Sequence, residues 1–494
     1  MPITLIRYLR RHSLSFHLCR ALIIGFTLRS LSAYFVYGPQ ALDDYKHGVW
    51  PAFQIFSGQI PDLPPYRSHL LVWLLVGFID VAHFFGLESA LSQVRAMYFG
   101  LGVLSLLAIY GASLYASCFR SRIFGGLAVY LLAVYPLMPF ASTRAFGESV
   151  ALTFVVLGLA ICEHARLKTN RSGEMALGFF VIGVAALFRF QVGVIYLAYA
   201  GTLLFFRHWR FLGAMLIAGL ALLVAQAYID IWSDKTPFAT LQAYILENEG
   251  GAAKYGVSPW YNTWALIFGM TLFPFSLVFL LKLKQMIHRH LPACVSLFAF
   301  VFIHSIVAHK EERFMYPILG LLLILLAYVW TLARHSQKAR QIYSTAYFVV
   351  SLLTLPIACF VNSQAGEIEP AAIAQDYFGS VAYIDHESLF QKSMIQFYFL
   401  RPPSQILPTG LGGLNLGYAE EVLKTNTELR GVEILTSVPA AFAAIESLSE
   451  QSSDLVRCGK SQIATSMVDR LLYRLNPKHN QRRRPTYYIL CERK

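Results

Sequence analysis

Charge is scarce in this chain. Only 14% of its 494 residues are Asp, Glu, Lys or Arg, against 56% that are hydrophobic, and one water-soluble core could not hide that much apolar surface. A soluble globular protein is excluded, and a polytopic membrane protein is expected. Cysteine is sparse as well. Of the seven, Cys19, Cys118, Cys162, Cys294 and Cys359 lie in or beside apolar segments and none has the spacing of a metal-ligand set, so they read as packing residues and no metal is expected. There is no internal repeat and no long low-complexity linker, which excludes a solenoid. Acidic residues are outnumbered, 28 to 41, giving a net charge of +13. Most Lys and Arg fall in short loops between apolar segments, where they set membrane orientation; no nucleic-acid partner is expected.

Twelve apolar segments are long enough, or nearly so, to span: 21–37, 69–87, 97–118, 124–140, 148–164, 175–188, 191–206, 211–229, 261–281, 291–307, 314–332 and 343–361. No small-residue cleavage site follows the first, so it is expected to be retained. Five connections are basic, carrying Arg120 and Arg122; Arg166, Lys168 and Arg171; Arg207 and Arg210; Lys282, Lys284 and Arg289; and Arg334, Lys338 and Arg340. All five join the basic N-terminus on the cytoplasmic side only if one early segment fails to cross. Segment 69–87, with Asp80 and His83 inside it, is the candidate: a re-entrant or interfacial helix within a long external loop, 38–96. About eleven spans remain, and residues 1–361 form the membrane domain. Residues 362–494 are more charged, with strand-like runs at Val381–Ile384, Gly431–Leu435 and Tyr487–Leu490 and a helical pattern across Pro439–Leu448. They are expected to form a small α/β domain outside the membrane. Cys458 and Cys491 fall there, in an oxidising compartment, and a disulfide between them is allowed on that ground alone.

Ionisable residues at span ends on one face are the candidates for chemistry. His309-Lys310-Glu311-Glu312-Arg313 interrupts two apolar stretches where nothing structural asks for charge. Asp43 and Asp44, just beyond the first span, suit either a general base for a hydroxyl or a divalent cation, or else a helix N-terminus. Arg67, Arg144 with Glu148, Arg189, Lys310 and Arg313 place cations outside, against the orientation bias, and contacts to a lipid phosphate supply a reason. Arg144 and Glu148 are also spaced for a simple helical pair, and Arg189 for capping a turn. The aromatic group at Trp260, Tyr261 and Trp264 fits an interfacial belt or a sugar platform.

In this order the segments resemble the GT-C superfamily of polyprenyl-phosphate-dependent glycosyltransferases, and most nearly the mannosyltransferases of glycosyltransferase family 22. Asp43-Asp44-Tyr45 is similar to that family's acidic pair, Tyr66-Arg67-Ser68 to its Arg-Ser-Tyr segment, Thr143-Arg144 through Glu148 to its Thr-Arg turn, and Ala186-Leu187-Phe188-Arg189 to its Ala-Leu-Arg element. Ser258-Pro259-Trp260-Tyr261 is similar to its Pro-Trp element, and His309 through Pro317 to its His-Lys-Glu-x-Arg-Phe-x-x-Pro signature. The likeness covers residues 20–335. It departs in carrying Asp-Asp for Asp-Glu, and it does not reach the C-terminal domain. Asn170-Arg171-Ser172, the one glycosylation sequon, falls in a loop assigned to the cytoplasm, so a bacterial inner membrane suits the chain at least as well as the ER.

The resemblance implies an integral-membrane glycosyltransferase that moves a hexose, mannose in the family, from a polyprenyl-phosphate-linked donor to a glycan or glycolipid acceptor with inversion and without a cofactor. It also implies Asp43 or Asp44 as the base. Arg67, Arg144, Glu148, Arg189, His309, Lys310, Glu311 and Arg313 then hold donor phosphate and substrate. Two rivals stand beside it: a transporter or flippase for lipid-linked saccharides, and a non-catalytic partner of a glycan assembly complex. A transporter predicts ionisable residues near span centres and inverted repeats, whereas these charges sit mostly at span ends.

Overall fold

Apolar run length and helix breakers together dictate the membrane part. In the computed structural model, which describes residues 3–40, 42–61, 63–250, 256–332, 337–386, 405–478 and 480–494, five helices are long and apolar enough to cross a bilayer: Leu14–Phe35, Ala90–Ser117, Gly147–Thr169, Trp209–Trp232 and Glu312–Leu332. The number rises to nine if each of four bent helix pairs makes one crossing, and Leu70–Phe84, Ser172–Phe188 and Phe190–Phe205 are shorter apolar helices. The chain is a multi-pass membrane protein. Contacts divide it into two compact units, the first Met1–Ala33, Leu63–Leu74 and Phe99–Cys359, the second Tyr34–Asp62, Leu75–Tyr98 and Phe360–Lys494.

Two expected spans are not continuous. Segment 124–140 is broken into Arg122–Val134 and Leu137–Thr143, which meet at 59°. Pro136 is the cause: it offers no amide hydrogen and holds the preceding Tyr135 extended, at φ −61° and ψ 129°. Segment 261–281 is broken into Asn262–Met270 and Phe275–Leu281 at 105°, with Leu272 at φ +62° and Pro274 between them. Breaks inside a membrane protein free carbonyls that must find donors. Arg29, 2% exposed, supplies them for the first: its guanidinium donates to Leu132 O at 3.1 Å and Ala133 O at 3.5 Å, and to Ser105 Oγ at 2.6 Å. The Tyr135 hydroxyl donates to Met270 O, at the end of the helix before the second break.

The helix Tyr316–Leu332 is apolar all round, and every residue from Ile318 to Leu326 is buried. That is the signature of a bundle interior. Beside it, Gly147–His164 packs on Ser172–Phe188 so closely that a Cβ on Gly158 would lie 2.8 Å from Gly178 O, the small-residue contact by which membrane helices approach without a hydrophobic driving force.

In the second unit, six strands form one sheet: β1 (Val381–His386), β2 (Gln405–Thr409), β3 (Gly431–Thr436), β4 (Val456–Cys458), β5 (Gln462–Ala464) and β6 (Thr486–Arg493). The order is β2-β1-β3-β6-β4, with β5 also on β6; the β1–β2 and β1–β3 pairs are parallel and the pairs with β6 antiparallel. β1 and β3 are buried on both faces, which is why their sequences are apolar runs and not alternating ones. The expected helix at Pro439–Leu448 is a 3-10 turn, Pro439–Ala441, leading into Phe442–Ser447. Cys458 and Cys491 face each other across β4 and β6 and form a disulfide. The helix Ala365–Phe378 is capped by Asp469, whose two oxygens accept from Gln364 N at 3.1 Å and Ala365 N at 3.0 Å while Arg483 binds the same carboxylate at 2.6 Å.

Candidate active site

The first piece of the site is a sharp re-start between helices. Leu137–Thr143 ends at Arg144 (φ −81°, ψ 143°) and Gly147–His164 begins after Phe146 (φ −109°, ψ 145°). Residue 147 has to be glycine, because a Cβ there would lie 2.4 Å from Phe188 O. That approach brings the first turn of one helix against the last turn of Ser172–Phe188.

Glu148, in that first turn, therefore meets Arg189 and not Arg144: Arg189 Nη2 lies 3.1 Å from Glu148 Oε1, with side-chain exposures of 11% and 2%. The intrahelical pairing that the spacing allowed is replaced because Arg144 lies outside the helix with its backbone extended. The Arg144 side chain is wholly buried, donates to Thr143 Oγ1 at 3.1 Å and lies over the Phe140 ring at 5.0 Å. Arg189 also donates through Nε to Gln191 Oε1 at 3.2 Å and lies over Phe314 at 5.4 Å. A buried carboxylate is tolerable only when paired and hydrogen-bonded. Besides Arg189, Arg313 and Arg67 act electrostatically on Glu148.

The charged run at 309–313 supplies the next piece. Glu311 is a bridge: its Oε1 takes a hydrogen bond from His309 Nε2 at 2.7 Å, and its Oε2 lies at ion-pair distance, 2.5 Å, from Arg313 Nε. Arg313, 5% exposed, is packed over Phe146 at 5.0 Å and Phe314 at 5.5 Å. The run thus closes onto the Phe146 turn and onto the ring that also carries Arg189. Lys310 is held differently. Its ammonium donates to two backbone carbonyls, Ser258 O at 3.0 Å and Val307 O at 2.5 Å, and among the described residues it has no carboxylate partner. Burial pulls its pKa below the ordinary lysine value. Ser258 N donates back to Ala308 O at 2.9 Å, so the Pro-Trp segment is tied to this turn.

Arg67 comes from the loop before Leu70–Phe84. Lys235 anchors that loop, donating to Pro65 O at 3.3 Å and lying 3.5 Å from His69 Nδ1. Lys235 is in turn 3.4 Å from Thr240 Oγ1, which donates to Asp230 Oδ1 at 2.5 Å. Burial, and after it the Lys235 charge, push His69 down to about 4, so this histidine is neutral at physiological pH. In the first unit Arg189, Arg313 and Arg67 thus act on Glu148, Arg313 is also paired with Glu311, and Lys310 sits three residues away on backbone carbonyls. Three guanidiniums acting on one buried carboxylate, beside an ammonium held by carbonyls, suit the binding of an anion.

Asp43 and Asp44 belong to the second unit. Their environments differ. Asp44 is fully buried and its Oδ2 accepts from Gln40 N at 3.0 Å, whereas Asp43 is 30% exposed and lies 3.7 Å from His47 Nε2. Among the described residues no group of three or more His, Cys, Asp or Glu side chains is placed to hold a metal ion.

Sequence inspection passed over His304. It lies in the last turn of Leu291–Ile306, 4% exposed, with Nδ1 donating to Phe300 O at 2.8 Å and with Arg189 and Glu148 within electrostatic reach. An ionisable residue near the end of an apolar helix was signal enough to find it. Lys235 and Asp230 carried the same signal at the end of Trp209–Trp232.

The solved structure of ArnT from Cupriavidus metallidurans bound to undecaprenyl phosphate is 14% identical, with a TM-score of 0.58 over 96% of this chain and 97% of that one. The apo form of ArnT gives the same values. At that identity the likeness shows a shared fold. The oligosaccharyltransferase AglB from Archaeoglobus fulgidus, in complex with an inhibitory peptide and a dolichol-phosphate, is 12% identical over 86% of this chain and 69% of that one, with a TM-score of 0.48. No curated protein matches the chain in sequence. Residues 63–400 match the Alg9-like mannosyltransferase family, more than half of the chain, and the protein is therefore a membrane glycosyltransferase of that family.

Proposed function

We propose that the protein transfers a hexose, mannose, from a polyprenyl-phosphate-linked donor to a hydroxyl of a glycan or glycolipid acceptor, with inversion, at the extracytoplasmic face of the membrane. The observation that carries this is Lys310. An ammonium tied to two carbonyls and, among the described residues, to no carboxylate is a charge waiting for an anion. A lipid phosphate fits it, and ArnT, which shares the fold, was crystallised with undecaprenyl phosphate.

In this mechanism the acceptor hydroxyl attacks C1 of the donor sugar while the C1–O bond to phosphate breaks, and polyprenyl phosphate leaves with the bonding pair. Negative charge grows on the phosphate, where Lys310 and Arg313, with Arg67, stabilise it. The hydroxyl proton goes to a carboxylate. Asp43 is the base because its partial exposure lets a substrate hydroxyl reach it, while Asp44, buried and engaged with Gln40 N, holds the segment in place. Glu148 and Glu311 orient the arginines. No metal is required, since protein cations neutralise a monophosphate leaving group.

The test uses detergent-solubilised protein, polyprenyl-phosphate-mannose and a candidate acceptor, where no sealed compartment exists and transport has no meaning. Transfer is expected in the wild type, with inverted product by NMR, and a drop of about 100-fold or more in Asp43→Asn at unchanged expression. A protein inert in detergent that moves lipid-linked sugar across sealed vesicles is a transporter. Topology is checked separately: cysteines at Ser57 and Ser92 are expected to label from outside, and labelling of Ser92 from the cytoplasm alone would place part of 38–96 on the wrong side.

A further inference from the structure

Within the first unit, at the helix ends that carry basic loops, there is a cavity of about 460 Å³. Its polar side carries two guanidiniums and two imidazoles: Arg166, Arg289, His208 and His288 line it. Among the described residues none of Arg289, His208 and His288 has a carboxylate within ion-pair distance. Arg289 is packed over the Phe119 ring at 5.3 Å. Arg166 is anchored through Nη2 to the sealed Glu163 at 2.6 Å, and its buried Nε has no hydrogen-bond partner among the described residues.

The remaining wall is apolar, with Phe119, Leu203 and Phe206. Beside it Phe205 and Trp209 are 79% and 64% exposed, an apolar rim of the kind that faces acyl chains near a membrane surface. Cationic floor and apolar rim call for an amphiphile with an anionic head. A soluble phosphate would leave the rim uncovered, and a zwitterionic head would set its own cation among arginines.

We propose that this pocket binds the phosphate of an anionic phospholipid headgroup, with the acyl chains lying along the Phe205–Trp209 rim. It is separate from the transfer chemistry and does not depend on it. Arg289 and His288 grip the phosphate from the surface, while Arg166, fixed by Glu163, meets it from below.

The experiment is native mass spectrometry of the full chain in mild detergent with phosphatidylglycerol or phosphatidylcholine. The wild type is expected to retain phosphatidylglycerol about tenfold more tightly than phosphatidylcholine, and the double variant His288→Gln/Arg289→Gln to lose that preference. Arg166 is left in place because its removal would strand Glu163. Arg289→Lys, which keeps the charge, is expected to restore most of the preference and guards against a misfolded double variant. Equal retention of the two lipids by the wild type, or an unchanged preference in the double variant, would overturn the proposal. So would inorganic phosphate that displaces phosphatidylglycerol at equal concentration, which would make the site one for a soluble anion.

Discussion

The helix Gly147–His164 carries a buried glutamate at each end, and the two are built differently. Glu163 is 0% exposed and satisfied locally: Arg166, three residues on, binds Oε2 at 2.6 Å and the Tyr199 hydroxyl donates to Oε1 at 3.2 Å. One carboxylate meets one guanidinium. Glu148, 1% exposed, lies in the first turn, where the helix dipole favours a negative charge. Its partner Arg189 is 41 positions away in sequence, and Arg313 and Arg67 act on it too. A buried ion pair therefore does not by itself mark chemistry. What sets the Glu148 end apart is that three guanidiniums from distant parts of the chain act on one carboxylate.

The largest effect that can break this comparison is expected at the Glu148 end. Arg313→Ala is expected to lower kcat/KM about 1000-fold, and Arg313→Lys about 100-fold, because a point charge cannot reproduce a planar fork. The two arms are compared in the detergent transfer assay, and near-normal transfer in either would remove Arg313 from phosphate binding.

Next come the paired carboxylates. Glu163→Gln leaves Arg166 with a neutral partner and is expected to cost about 3 kcal/mol of stability, while Glu163→Leu with Arg166→Leu recovers most of it. Both are measured by thermal unfolding, and transfer by the folded fraction should change little. The matching Glu148→Leu/Arg189→Leu protein is expected to recover stability but not transfer. If the Glu163 and Arg166 double variant also loses transfer while folded, the distinction between the two ends fails.

A third buried carboxyl sharpens the contrast, because among the described residues no cation is paired with it. Glu433, on β3, is fully buried, neither oxygen has a hydrogen-bond partner among the described residues, and burial alone holds its pKa well above the ordinary glutamate value. The folded chain therefore keeps a proton that the unfolded chain releases near pH 4 to 5, at about the ordinary glutamate value. Its stability contribution is whole below that range and falls as pH rises toward the folded pKa. Glu433→Gln is expected to flatten the decline in stability of the second unit as pH rises above the ordinary glutamate range, read by hydrogen exchange across β3; an unchanged slope would mean that Glu433 ionises in the folded chain. The smallest expected effect is that of EDTA, which should leave transfer unaltered, and strict dependence on added Mg²⁺ or Mn²⁺ would recast Asp43 and Asp44 as ligands.

The charged run His309 to Arg313 was legible in the chain because charge among long apolar runs has few structural reasons. The strands β1, β3 and β6 were legible as short apolar runs between polar stretches. By contrast β4 and β5, three residues each, are too short for any period to register. The breaks in 124–140 and 261–281 were announced by Pro136 and Pro274, but hydropathy averaging reads straight through them. Arg29 was passed over as one basic residue inside an apolar segment, since its use depends on the broken carbonyls of Leu132 and Ala133.

What the sequence by itself determined is the membrane character, the mixed domain at its end and the residue types available for phosphate chemistry, because these follow from composition and order, which fold locally. What only the tertiary structure decided is who meets whom. Glu148 turns to Arg189 because Gly147 admits the carbonyl of Phe188. Glu311 gathers His309 and Arg313, and Lys310 is left to carbonyls. Pairings of this kind depend on helix breaks and close approaches between residues far apart in the chain, and short-range patterns carry no record of them.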